Sequence, residues 1–218
     1  MATAPMLRQP FISPEAYLER EVLAEQKSEY FQGEVVLMAG ASLNHNYVVG
    51  NIYVLLRGAF KGQDYLVFMS DLRLWVPAQQ SYTYPDVQVV AGSPTLHESR
   101  TDTITNPVLI VEVLSESTST YDRGEKFVAY RTLPSLREYL LVEQGRYAVE
   151  QFVRVAEHQW LLTEYRGEEA ILSLSVGPHQ LALRDIYDRV VWTGGPGEPG
   201  KTSGKTDAMV AENSDTNR

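Results

Sequence analysis

Glu112 lies inside Pro107-Val108-Leu109-Ile110-Val111-Glu112-Val113-Leu114, a run that is apolar on both alternating faces. Such a run reads as a strand buried on both sides. An ionised carboxylate there is costly unless a metal, a charge or several donors compensate it. Asp86 holds a similar place in Tyr84-Pro85-Asp86-Val87-Gln88-Val89-Val90. Alternation puts Tyr84, Asp86, Gln88 and Val90 on one face of that segment, and Val108, Ile110, Glu112 and Leu114 on one face of the other. If the two strands are neighbours, Asp86 and Glu112 can point into the same space. Two hard oxygen ligands with open positions suit magnesium or manganese. Such an ion polarises a phosphoryl group and lowers the pKa of an attacking water, so the chemistry suggested is phosphodiester hydrolysis.

After Glu112 a helix is expected over about 120–132, with N-caps in Ser117-Thr118-Ser119-Thr120 and a stop at Leu133-Pro134. Asp122, Lys126 and Tyr130 recur every four residues and form one stripe. An ammonium facing the acids could steady an attacking water or the charge that develops on phosphorus. The plain alternative for Asp122 and Lys126 is an exposed helix pair, worth roughly 0.2–0.5 kcal/mol. For Glu112 it is a buried acid paired with a base for structure, and for Asp86 it is turn chemistry beside Pro85. His45 falls on the inward face of an expected helix over about 42–60, with Val49, Ile52, Leu56 and Ala59; a lone histidine there is commonly a hydrogen-bonded core residue. His97, His158 and His179 show no metal-ligand spacing, and no acyl-transfer triad or glycine-rich phosphate loop is present.

The elements that would position these groups can be read along the chain. Residues 1–12 are expected to be a flexible arm. Ser13-Pro14-Glu15 begins a helix running to about residue 25, and a strand pair turns around Gly33. Strands follow near 65–69, 72–76, 84–90 and 108–114, with residues 91–106 a polar loop. Beyond the second long helix, strands are expected near 138–142, 147–155, 159–165 and 171–175, then a closing helix over 183–190. From Gly194 the composition turns to Gly, Pro, Ser and Asp, so 194–218 reads as a disordered tail behind a folded domain of 13–193.

The bulk numbers narrow the class. The 218 residues suit one domain with a sizeable core. There are no cysteines, which removes disulfides, thiolate metal sites and a cysteine nucleophile. No apolar stretch is long enough to span a bilayer and no signal peptide is visible, so a cytoplasmic protein without a membrane partner is expected. The net charge of −9 runs against the usual footprint of a nucleic-acid binder, although a hydrolase needs only a local basic groove.

These residues together resemble the Uma-two family of restriction-endonuclease-like proteins, within the PD-(D/E)XK nuclease superfamily. The resemblance covers roughly residues 10–192. It rests on Tyr30-Phe31-Gln32-Gly33-Glu34-Val35-Val36, on His45, on Pro85-Asp86-Val87 and on Val111-Glu112-Val113-Leu114-Ser115-Glu116-Ser117-Thr118. It continues in Asp122-Arg123-Gly124-Glu125-Lys126 with Tyr130, and in Arg137-Glu138-Tyr139-Leu140-Leu141-Val142. It implies an α/β fold with a mixed central β-sheet flanked by helices, and a magnesium- or manganese-dependent endonuclease acting on DNA, as a homodimer. Asp86 and Glu112 would be metal ligands, the Val113 carbonyl would complete the shell, and Lys126 would be the catalytic cation. Glu34 would be the additional acid near the metal, with His45 and Asp122 accessory. Leu114 stands where the superfamily has its lysine, so that role moves to Lys126. Glu116 replaces a proline common after Leu-Ser and Leu140 a tryptophan common after Glu-Tyr. The alternative is a catalytically inactive nuclease-fold scaffold.

Overall fold

A computed structural model of the protein describes residues 11–38, 40–115 and 118–192. Ser13 opens α1 (Pro14–Leu23): its hydroxyl accepts the Ala16 N–H, and Pro14 occupies the first turn, where a missing N–H is harmless. β1 (Ser28–Phe31) and β2 (Glu34–Leu37) form the hairpin expected around Gly33. Gly33 has φ +98°, and a Cβ there would stand 2.2 Å from the Phe11 ring. The exposed Phe11 ring can turn away, but the backbone angle stays. Gly33→Ala is therefore expected to cost about 1–3 kcal/mol, read as a lower midpoint in urea unfolding.

α2 (Leu43–Ala59) is capped by the Ser42 hydroxyl, which accepts the His45 N–H, and buries Val48, Val49, Ile52 and Leu56. Then come β3 (Tyr65–Met69), β4 (Arg73–Val76), β5 (Ser81–Thr83), β6 (Val87–Ala91), β7 (Thr103–Ile104) and β8 (Leu109–Leu114). α3 is one helix in three parts: Ser119–Tyr121, a π-helical turn over Asp122–Lys126, and Phe127–Tyr130. After it come β9 (Glu138–Glu143), β10 (Ala148–Ala156), β11 (Gln159–Arg166), β12 (Ile171–Ser173), β13 (Gln180–Ala182) and the short α4 (Leu183–Ile186).

The central sheet has the order β11-β10-β9-β8-β6-β3. Its neighbours are antiparallel except β8 and β9, which run parallel because α3 carries the chain across between them. A second sheet has the order β2-β1-β5-β4-β7, and β12 pairs with β13 alone. α2 covers one face of the central sheet, over Val87, Val89, Leu109, Val111 and Val113. α3 covers the other through Ala129 and Tyr130, over Ile110, Leu114, Tyr139 and Leu141. This is the expected mixed sheet flanked by helices. The apolar run 109–114 is buried throughout, as a strand covered on both faces must be.

The structure departs from the sequence expectation at several places. The strand expected over 84–90 starts late, with β6 beginning at Val87, and an unexpected strand, β5, ends just before it at Thr83. Pro85 has no N–H to give a ladder, and the chain uses Tyr84-Pro85-Asp86 to leave one sheet and enter the other. The polar loop 91–106 contains β7, whose two residues pair parallel with β4 and carry too little pattern to be seen. The closing helix ends at Ile186, well before residue 190.

Of the expected arm, residues 1–10 lie outside the described residues, while the Ile12 N–H donates to the Gly33 carbonyl. The expected tail over 194–218 lies wholly outside them. Among the described residues no helix is long and apolar enough to cross a membrane.

Candidate active site

The register of the central sheet carries the two acids to the same end of the β6–β8 pair. Val87 pairs with Val111, so continuing by one residue sets Asp86 opposite Glu112. Glu112 projects with Ile110 and Leu114 toward α3 and is 3% exposed. Asp86 stands at the break between the sheets. Its Oδ2 accepts the Val113 N–H at 2.7 Å, a donor that lies past the end of the β6 ladder, and sits 3.3 Å from His45 Nε2 on α2.

Around Glu112 the polar side chains form a buried cluster. Lys126 Nζ lies 3.2 Å from Glu112 Oε1, 3.2 Å from Asp122 Oδ1 and 3.1 Å from Glu29 Oε1. The Tyr130 hydroxyl donates to Glu112 Oε1 at 2.8 Å and lies 3.0 Å from Thr83 Oγ1. Lys126 and Tyr130 thus converge on the Glu112 carboxylate, and Asp122 joins them through Lys126. The turn that holds Asp122 and Lys126 is π-helical, a wider winding that is frequent at functional sites. Asp122 and Lys126 are buried, which overturns the plain reading of an exposed helix pair.

Three carboxylates share one ammonium here, and the electrostatics follow. Burial pushes Glu112 well above the usual carboxylate range; the Lys126 charge opposes this, and Asp122, Asp86 and Glu29 add to it. Burial alone would pull Lys126 down, but Glu112 and Glu29 outweigh it and hold its proton well above the ordinary lysine value. At neutral pH Lys126 is therefore an ammonium. Burial likewise pulls His45 down, but the Asp86 hydrogen bond and charge, with the Val113 carbonyl, raise it overall. Its Nδ1 is buried with no partner among the described residues.

The sequence-predicted residues fall into two adjoining groups along β8. Glu112, Asp122 and Lys126 form the first, and Asp86, His45 and the Val113 backbone the second. Glu34 belongs to neither: it opens β2 at the hairpin end, paired with Phe31, and is exposed. The extra acid is instead Glu29, on the buried side of β1, which also accepts the Tyr84 N–H at 3.2 Å. Its one sequence signal was an acid beside the aromatic pair Tyr30-Phe31, and only the pairing of β1 with β5 turns it inward. Glu116 lies outside the described residues.

Both hydrogen-bonded contacts of Asp86 fall on Oδ2 and both of Glu112 fall on Oε1. Among the described residues Asp86 Oδ1 and Glu112 Oε2 keep their lone pairs free. Among the same residues no three His, Asp or Glu side chains form a ready metal cage. A hard cation held here would take two carboxylate oxygens and fill its other positions from backbone carbonyl, water and substrate, as magnesium does.

Comparison with known proteins agrees with this architecture. Residues 14–184 match the Uma2 family, described as "Putative restriction endonuclease". Uncharacterized protein sll1609 of Synechocystis sp. is 46% identical over 159 residues, covering 73% of this chain and 90% of the relative. Uncharacterized protein slr1290 of the same organism is 36% identical over 177 residues, covering 81% and 92%. The crystal structure of a "putative nuclease belonging to DUF820" from Anabaena variabilis superposes with a TM-score of 0.69 at 16% identity, over 83% of this chain and 99% of that one. At that identity the superposition shows the fold. The family match over most of the chain, with relatives that align along nearly their whole length, shows that this protein belongs to the Uma2 family.

Proposed function

We propose that the protein is a nuclease that hydrolyses DNA phosphodiester bonds with the help of magnesium or manganese. One observation carries the reading: Asp86, just before β6, accepts the N–H of Val113, the residue next to Glu112 on β8, and the contacts of each carboxylate fall on one oxygen, Oδ2 of Asp86 and Oε1 of Glu112. Asp86, Glu112 and the Val113 carbonyl would hold the ion. When bound, it would supply Lewis-acid stabilisation of the phosphoryl charge. The chain's own groups do the rest. The Val113 N–H and His45 fix the Asp86 carboxylate, and Tyr130 and Lys126 fix that of Glu112. Lys126 is an ammonium and so serves as a positive charge, not as a base. DNA cleavage in the cytoplasm by two copies would cut both strands, and the free edge of β11, with Leu161 and Leu162 exposed, is a surface a second copy fits.

A second reading, a nuclease-fold scaffold without activity, draws support from the internal ammonium that already sits on Glu112. Calorimetric titration with magnesium and manganese separates the two. The expected result is binding by the unmodified chain that Asp86→Asn weakens about 10-fold or more, with loss of plasmid cleavage. A folded chain that takes up neither ion at Asp86 and Glu112 leaves the scaffold reading in place.

A further inference from the structure

Arg131, Arg137 and Arg154 line one groove of about 850 Å³, between the end of α3 and the tip of the β10–β11 hairpin, beside Glu157, His158 and Trp160. Every arginine–carboxylate ion pair among the described residues falls elsewhere, on Arg73, Arg100, Arg123, Arg146, Arg166, Arg184 or Arg189. Arg154 is a fixed charge: Nε donates to the Leu136 carbonyl at 2.9 Å, Nη2 to those of Arg131 at 2.7 Å and Leu133 at 2.9 Å, and Nη1 to that of Glu157 at 3.2 Å. Its guanidinium also stands 4.7 Å from the Trp160 ring centroid. Arg131 and Arg137 are exposed, and their side-chain forks bond no described residue, apart from Arg131 standing over the Phe127 ring at 5.9 Å. The acid in the groove, Glu157, faces solvent; among the described residues its carboxylate forms an ion pair with His158 at 3.9 Å, and its charge also acts on Arg154.

Guanidinium forks match phosphate oxygens two at a time, and a chain of net charge −9 can attract a polyanion only through a local patch of this kind. The groove lies at the strand ends away from the acid cluster, and α3 runs from one to the other. The Arg137 N–H donates to the Val108 carbonyl. Glu112 lies four residues further along β8, roughly 13 Å at strand rise. That is about four base-pair steps of a duplex. We infer that this groove binds backbone phosphates of a DNA strand that passes the acid cluster, an inference that rests on the nuclease reading above.

The test is fluorescence anisotropy with the full chain, a labelled duplex of about 20 base pairs and no divalent ion, across a salt series. Arg131→Gln/Arg137→Gln is expected to weaken binding about 10-fold or more and to reduce the slope of log affinity against log salt by about 2, with the melting temperature unchanged. Arg131→Lys/Arg137→Lys is expected to keep the slope. A glutamine variant that binds with unaltered affinity and slope overturns the inference. If that variant still cuts DNA, the nuclease reading stands alone; if the unmodified chain binds no duplex, the inference falls, and plasmid cleavage with magnesium decides the nuclease reading separately. Inorganic phosphate that competes at the concentration of duplex phosphate assigns the groove to free phosphate and overturns the strand.

Discussion

Glu112→Gln is expected to slow DNA cleavage by at least about 100-fold and at the same time to raise the melting temperature by roughly 2–4 °C, the shift that about 1 kcal/mol makes in a chain of this size. The two effects have one cause. Glu112 is a carboxylate 3% exposed among Asp122, Asp86 and Glu29, and burial with these neighbours holds its proton well above the usual range. A group whose pKa is higher folded than unfolded weakens the fold increasingly as pH rises past the unfolded value. Glutamine removes that penalty and keeps an oxygen for Tyr130 and Lys126, while Lys126 retains Glu29 at 3.1 Å and Asp122 at 3.2 Å. The stability gain should therefore be greater at about pH 8 than at about pH 5. Cleavage by the unmodified chain should rise with pH through a range above the ordinary glutamate titration, because a cation at Glu112 must displace a proton. Thermal unfolding and plasmid cleavage, each as a pH series, measure both arms. Undiminished cleavage by the glutamine variant would sink the site; a lower melting temperature would show that the Glu112–Lys126 pair is net stabilising.

Lys126→Met is expected to do the opposite to the fold, lowering its stability by about 3–5 kcal/mol, a large part of the roughly 5–15 kcal/mol that holds a domain of this kind together. The ammonium is the common partner of Glu29, Glu112 and Asp122, all buried. Removing it leaves three carboxylates facing one another away from water. The raised Lys126 pKa has the matching sign: its contribution is complete below the ordinary lysine value and is lost only as pH rises through the higher folded one. Combining Lys126→Met with Glu29→Gln and Glu112→Gln should restore most of the loss, because the substitutions act on one network and are not additive. Chemical unfolding of the single and triple variants reads this directly. A single variant as stable as the unmodified chain would mean that the acids hold protons without needing the lysine.

Both predictions depend on how residues far apart in sequence meet, and the elements differ in how much of that was legible. The buried run 109–114 is readable because a strand covered on both faces must be apolar at every position, and this makes the one acid in it conspicuous. The long helix and the β1–β2 hairpin are readable for equally local reasons, a serine cap and a glycine at positive φ. The stripe of Asp122, Lys126 and Tyr130 is a matter of helical spacing, and the structure keeps it together even through a π-helical turn. Chain-local chemistry thus determined the main strands, the long helix and the candidate carboxylates.

Tertiary structure alone decided the rest. Tyr84-Pro85-Asp86 read as part of one strand because alternation continues across it; that it bridges two sheets depends on which strands lie beside it. Spacing could not say whether Lys126 faced water or the core, since a stripe of polar residues suits either; the packing of α3 on β8 buries it. Glu29 and Glu34 are both acids flanking one hairpin, and nothing local separates them. β1 has a second neighbour in β5 and buries its acid, whereas β2 is a sheet edge and leaves Glu34 in solvent. The residue types and their periodicity are properties of the chain, but which carboxylate loses its water is settled by what packs over it, because desolvation is a property of the surroundings and not of the residue.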